Sequence, residues 1–263
     1  MTQRPTVVLT AVFMFAMCWG CDRASAPQSA VVEIVDPAQK LRQMSETLAH
    51  ARQLTFKARR QLDAALVAGS DIAETAEIEV TVSRPRMVRA TSLSNAGVRR
   101  FYADGQNVSL LDERMQLYAT VPLSGTIDEM VEKLDEQFGF TPPLAEFVLN
   151  DPYQKFKTQI QGSVDKGKET VNDVECDHLT LTGEIADADV WIASTDHLPR
   201  RFVATFKDRE GRPQLKIDFF EWNLAATLGE SFFAFDPPKG AERISMAPAE
   251  DVKADEAKGG ASK

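Results

Sequence analysis

Short turn signals recur along most of this chain and leave only strand-length segments between them, a spacing that admits few folds. Gly69-Ser70-Asp71, Asn95-Ala96-Gly97, Asp104-Gly105, Asp112-Glu113, Ser194-Thr195-Asp196 and Asp208-Arg209-Glu210-Gly211 are the punctuation, with Asp104-Gly105 the sharpest hairpin signal. Parallel neighbours need a crossover of about a dozen residues. The connections here are shorter, so the strands run as an antiparallel meander. The pattern predicts strands over 54–67, 73–83, 86–93, 98–103, 107–111, 116–121, 159–168, 174–183, 188–193, 200–207 and 213–222, with a short extended piece over 231–236.

Helical periodicity precedes the meander and interrupts it once. Before it, Asp36-Pro37-Ala38-Gln39 reads as a helix start: Asp36 caps, Pro37 suits the first helical position, and Gln39 is placed to reach back. Leu41, Met44, Leu48 and Ala51 then share one face of a helix ending between His50 and Gln53. Within the meander, Thr126 and Glu129 form a capping box, Ile127, Met130, Val131, Leu134 and Phe138 recur on one face, and Gly139 ends the helix. A shorter apolar helix follows over Leu144 to Leu149, and Asn150-Asp151-Pro152-Tyr153 starts another.

The N-terminus is read differently. Arg4 precedes an apolar run, Val7 to Gly20, that is too short to span a bilayer and stops at Cys21, which is the form of an export signal with a lipidation site. Cys18 stands three positions before Cys21, where lipoprotein signals usually carry Leu, so cleavage nearby into an unlipidated periplasmic protein is the alternative. Residues 1–20 are thus expected to be a lipoprotein signal peptide, 21–35 a flexible tether, 36–247 one folded domain and 248–263 a disordered tail. No later stretch has the length of a transmembrane helix, so membrane attachment is expected through the lipid alone.

A net charge of −9 argues against nucleic acid as a partner, and Lys and Arg are scattered rather than gathered in a stripe. With Cys18 in the signal and Cys21 lipidated, Cys176 is left without a disulfide partner in the body, whose stability must come from packing.

Several stretches, in this order, resemble a known bacterial group: Arg84-Pro85-Arg86-Met87-Val88-Arg89, Phe101-Tyr102-Ala103-Asp104-Gly105, Tyr118-Ala119-Thr120-Val121-Pro122, Gly125-Thr126-Ile127-Asp128-Glu129, Asn150-Asp151-Pro152-Tyr153, Leu198-Pro199-Arg200 and Phe233 to Ala241. Together they resemble the predicted periplasmic proteins grouped as domain of unknown function 2092. That group is similar in turn to the lipoprotein carriers LolA and LolB. The resemblance implies an α+β fold in which a strongly curved antiparallel sheet, an incomplete barrel, has helices covering its concave face over an apolar cavity. It also implies binding of lipid or lipoprotein acyl chains, by analogy of fold. By the same kind of resemblance, Asp22 after the lipidated cysteine looks like an inner-membrane retention signal.

The residues carry little that looks catalytic. The sequence has no Gly-x-Ser-x-Gly elbow, Gly-rich phosphate loop, His-Glu-x-x-His or paired Cys-x-x-Cys motifs, the single Cys18-Trp19-Gly20-Cys21 falling at the end of the signal. Cys176 and His178, on alternate strand positions, supply two ligands where a zinc site takes three or four, so they read as a free thiol beside a histidine. The carboxylate pairs Asp187 with Asp189 and Asp128 with Glu129 sit in turn or helix-start settings that favour acidic residues structurally. The expectation is therefore a binding protein that is not an enzyme and needs no metal or cofactor.

The apolar stripes suit a core as well as a pocket, and the resemblance favours a pocket. The candidate cavity residues are Leu41, Met44 and Leu48 on the first helix, Ile127, Met130, Val131, Leu134 and Phe138 on the second, and Leu144 and Phe147 on the third. Phe202, Phe206, Leu215, Ile217 and Phe219 are the candidates on the sheet. Met44 and Met130 are flexible enough to adapt to different chains. An envelope sensor or interaction domain of the same fold, binding a protein partner, is the rival reading.

Overall fold

Three of the helix starts are capped by the side chain that stands there, Asp36, Thr126 or Asp151. In the computed structural model, which describes residues 36–67, 70–142 and 144–248, α1 spans Pro37–His50 and Asp36 accepts from the Ala38 backbone N–H at 3.0 Å. The reach-back from Gln39 does not form; the Asp36 carboxylate alone makes the cap. The signal 1–20, Cys21 with the tether 21–35, and the tail after Pro248 lie outside the described residues.

From α1 the chain enters a five-strand run paired in sequence order after β1 (Gln53–Leu62): β2 (Glu74–Ser83), β3 (Met87–Ser94), β4 (Gly97–Ala103), β5 (Asn107–Asp112) and β6 (Leu117–Pro122). The Asp104-Gly105 turn joins β4 to β5, with Asp104 Oδ1 accepting from Gln106 and Asn107 N–H and Gly105 at φ 89°. Then come α2 (Ile127–Phe138), α3 (Ala145–Val148) and α4 (Pro152–Gln159). A second antiparallel run follows: β7 (Ile160–Val171), β8 (Val174–Gly183), β9 (Ala186–Ala193), β10 (Pro199–Phe206) and β11 (Gln214–Asn223).

β1 pairs with β11, which fuses the two runs into one sheet ordered β12-β6-β5-β4-β3-β2-β1-β11-β10-β9-β8-β7. The ends, β12 (Glu242–Arg243) and β7, do not meet, so the sheet stays open. It is antiparallel except where β12 lies parallel to β6.

One hydrophobic core joins Val108 of β5 to Leu179 of β8 through α1, α2 and α3. Those strands are eight places apart in the sheet, roughly 38 Å if flat at 4.8 Å per strand, whereas a helix is about 10 Å across. The sheet must bend around the helices for one core to touch both arms.

The predicted elements differ from these in three places. The strand expected over 54–67 ends at Leu62 and gives way to a 3₁₀ turn at Ala64–Leu66. The extended piece expected over 231–236 begins as a 3₁₀ turn, Glu230–Phe232, because this segment lies across the sheet's outer face instead of pairing with it. Arg89 there stacks on the Phe232 ring at 4.4 Å, and Phe235 lies 5.2 and 5.4 Å from Tyr102 and Tyr118. Third, the chain then turns over the sheet edge to form β12, a pairing of two residues too short to leave a period in the sequence. Among the described residues no helix is long and apolar enough to cross a membrane.

Candidate functional site

Helix α2 owes its position to polar contacts at its start. Thr126 and Glu129 cap each other reciprocally, with the Thr126 N–H to Glu129 Oε2 distance 2.7 Å. Asp128 reaches outward instead and accepts from the Asn150 backbone at 2.8 Å and the Asn150 side chain at 2.6 Å. Gly139 then takes the left-handed conformation, φ 60°, and closes the helix. These contacts hold the apolar face of α2 above β2–β6.

Between that face and the sheet is a cavity of about 690 Å³. Its roof is Ile127, Met130, Val131, Leu134 and Phe138. Its floor is built of inward residues on alternate strand positions, and many are small: Ala90 and Ser92 on β3, Ala103 on β4 and Ala119 on β6. Small side chains leave space that large ones would fill. The segment Ile244 to Ala247, carried over the sheet edge by β12, forms the remaining wall.

The other candidates lie in packed parts of the molecule. Leu41, Met44 and Leu48 are buried in the core where α1 meets α3, α4 and β7. Leu144, at φ 66°, is buried ahead of α3. Phe147 projects from α3 into the β1–β11–β10 arm, with ring centroids 4.7 Å from Phe219, 5.5 Å from Phe202 and 6.0 Å from Phe156. Leu215 and Ile217 belong to the same packing. Phe206 sits at the end of β10 with the Arg209 guanidinium 5.7 Å above its ring. The structure therefore brings together the α2 stripe around the cavity and places the α1, α3, β10 and β11 candidates outside its lining.

Sequence reasoning missed the polar rim. Arg60 and Glu74 both face inward at one end of the cavity and form an ion pair, with side chains 14% and 11% exposed. Arg99 Nε donates to Asp112 Oδ2 at 3.2 Å beside them. The readable signal was parity: Arg60 continues the inward series Leu54, Phe56, Ala58 on β1.

Three polar features lie away from the cavity. Cys176 is fully buried against Val171 and Ala193, and burial pushes its thiol up. His178, on the same outer face, stacks on Trp191 at 4.2 Å and contacts Glu169 and Asp189 at 3.0 Å each, so its ring nitrogens are engaged away from the thiol. Asp187 and Asp189 lie within β9 instead of in a turn; Asp187 pairs with Lys207 at 3.0 Å and Asp189 accepts from Thr180 at 2.6 Å. Among the described residues no group of three His, Cys, Asp or Glu side chains is placed to hold a metal ion.

A family model described as predicted periplasmic protein, DUF2092, matches residues 38–247. A search of curated proteins finds no match. Among solved structures, the chain is similar to the Mycobacterium tuberculosis lipoprotein LppX at 14% identity, covering 73% of this chain and 97% of that one with a TM-score of 0.44. It is similar to a LolA superfamily protein from Nitrosomonas europaea at 10% identity, covering 73% and 96% with a TM-score of 0.36. A Pseudomonas aeruginosa MucA/MucB complex matches at 15% identity, covering 76% of this chain and 60% of that one, with a TM-score of 0.41.

Proposed function

The chain belongs to the DUF2092 family of predicted periplasmic proteins, and we propose that it binds an acyl chain, free or on a lipoprotein, in the cavity under α2 and catalyses no reaction on it. The observation that carries this reading is a space of about 690 Å³ between the apolar face of α2 and a mostly apolar sheet floor in which Ala90, Ser92, Ala103 and Ala119 leave room. That volume is in the range of single-ligand pockets, roughly 300–1,000 Å³. Each methylene moved from water into such a wall contributes about 0.8 kcal/mol before ordering costs. Met130 adapts the roof to chains of different shape. The same reading anchors the protein by lipid at Cys21 on the periplasmic side, with Asp22 favouring the inner membrane, and leaves nucleic acid out as a partner at a net charge of −9.

Saturable uptake of a fluorescent fatty acid by detergent-free protein is the expected result, with copurified lipid visible in native mass spectra. Val131→Gln and Phe138→Gln should weaken uptake more than they lower thermal stability, because both side chains line the cavity and are only partly buried, so an amide there keeps access to solvent. In a filled core the same amide would be unsatisfied at a cost of roughly 1–3 kcal/mol and would act mainly on stability. Absent saturable binding, combined with a stable protein partner, would replace this reading with the interaction-domain one. Intact mass tests the anchor: a mature form without diacylglycerol, or starting after Cys21, defeats it.

A further inference from the structure

The cavity is polarised along its strands, and the strand register shows how. The inward residues Val82, Val88, Ala103 and Val108 face one another in one row across β2–β5. The next row is Val80, Ala90, Phe101 and Leu110. Both rows are apolar. One step further the row becomes Ile78, Ser92, Arg99 and Asp112, and beyond it stand Ser94, Ala76 and Arg60. From Val88 to Ser94 is six residues, about 20 Å of strand. One end is hydrocarbon-like and the other is hydrogen-bonding.

The polar end has more donors than acceptors. A guanidinium carries five N–H donors and no acceptor. Arg60 spends Nη2 on Glu74, while its Nε is buried with no hydrogen-bond partner among the described residues. Arg99 uses Nε on Asp112 and makes no other side-chain hydrogen bond among the described residues. Three carboxylate oxygens here are engaged: Glu74 Oε1 takes Arg60, Asp112 Oδ1 takes the Met115 N–H at 2.9 Å and Asp112 Oδ2 takes Arg99. Ser94 Oγ accepts from the Ala96 N–H at 3.1 Å. A buried donor left without an acceptor is costly, and a ligand that brings acceptor oxygens to this end removes that cost.

Resting on the acyl-chain reading above, we infer that the occupant is a single-chain amphiphile with an anionic head, carboxylate or phosphate, seated at Arg60 and Arg99 with its chain running along the strands toward Val88 and Ala103. Arg60 is the specificity-determining residue, since it alone combines burial, inward direction and an unspent donor. Arg99, whose side chain is 61% exposed, guides the head from solvent. The volume of about 690 Å³ suits one such molecule.

The test compares palmitate, palmitoyl lysophosphatidate and methyl palmitate as competitors for a bound fluorescent fatty acid, using the purified chain. Wild type should prefer the two anionic competitors over the ester by at least about tenfold. The tighter of the two identifies the head group. Arg60→Lys keeps the charge opposite Glu74 but removes Nε, and Arg99→Gln gives up a largely exposed pair with Asp112, worth about 0–1 kcal/mol, so both should fold with melting curves close to wild type. Each should shrink the preference severalfold, and added salt should shrink it further. Equal affinity for acid and ester, or a preference untouched by both substitutions, overturns the head-group assignment while leaving the cavity function standing. If none of the three competes and no probe binds saturably, the acyl-chain reading itself fails.

Discussion

Lys40 and Arg84 show how single cations hold this fold together. Lys40 on α1 donates to Asp165 and Asp177 at 2.7 Å each, tying the helix to β7 and β8. Burial opposes ionisation of Asp177, but hydrogen bonds and charge from Lys40 and Lys168 outweigh it, so its carboxyl lies below the ordinary range. Burial likewise opposes the Lys40 charge and is outweighed by the two aspartates, which raise its pKa. A lowered carboxyl pKa stabilises the fold above the unfolded value, about 3.9, and that contribution is lost as pH falls through the folded value. A raised lysine pKa contributes fully below about 10.4 and is lost as pH rises through its own folded value. Lys40→Met should therefore cost about 2 kcal/mol at pH 7 in urea unfolding, with a smaller difference from wild type at the acid extreme. Arg84 is held differently, donating to the carbonyls of Leu48, Val148 and Leu149 at 3.3 Å or less. Burial pushes its pKa down to about 10, which leaves it charged at neutral pH. Because one planar fork serves the ends of both α1 and α3, Arg84→Lys should lose roughly 2–3 kcal/mol, little of the fork being replaceable by a point charge. Cys176 is expected to be inert: burial and a raised thiol pKa should keep a thiol reagent from labelling it until the protein unfolds, and rapid labelling of native protein would refute this.

Helix α2 is the element whose sequence and structure agree most closely, and it is also the roof of the cavity. Its capping box, its apolar stripe and its terminal glycine are all local, so each could be read from neighbouring residues. Thr126→Ala removes a cap and should cost about 1 kcal/mol in thermal or urea unfolding, without changing which ligands bind. Strand positions were legible for the same reason, because turn chemistry at Asp104-Gly105 acts within a few residues. What could not be read was whatever depended on distant partners. The pairing of β1 with β11 joins residues such as Ala58 and Phe219, far apart in the chain. The segment after Leu228 follows its contacts with Gln53, whose side chain bonds Leu228 N and O, and with Arg89, not any period of its own. The inward Phe202 and Phe219 pack against Phe147, while the lining of the hollow arm mixes Phe101 and Leu110 with the smaller Ala90, Ser92, Ala103 and Ala119, so side-chain size along a strand does not by itself mark the cavity.

At the scale of the whole molecule, one bent sheet is closed in two different ways. On the β1–β11–β10 arm, Phe147 from α3 fills the concavity, and Phe56, Phe219 and Trp222 stack around it with centroids 4.4–5.9 Å apart. On the β2–β6 arm, α2 stands over a floor that includes the small Ala90, Ser92, Ala103 and Ala119, and a cavity remains between them. The two arms should answer mutation oppositely. Phe147→Ala, in the filled arm, should cost roughly 3–5 kcal/mol of stability because the site cannot close over the lost ring, while the binding of a fatty acid by the remaining folded protein stays close to wild type. Ala90→Leu, in the hollow arm, adds bulk where there is space, so it should leave the melting temperature near or above wild type and weaken fatty-acid uptake severalfold. Unfolding curves and binding isotherms measured on the same two variants decide the matter: if Ala90→Leu destabilises as an overpacked core does, by about 1–3 kcal/mol, the β2–β6 arm is filled in solution and the division of labour between the arms is wrong.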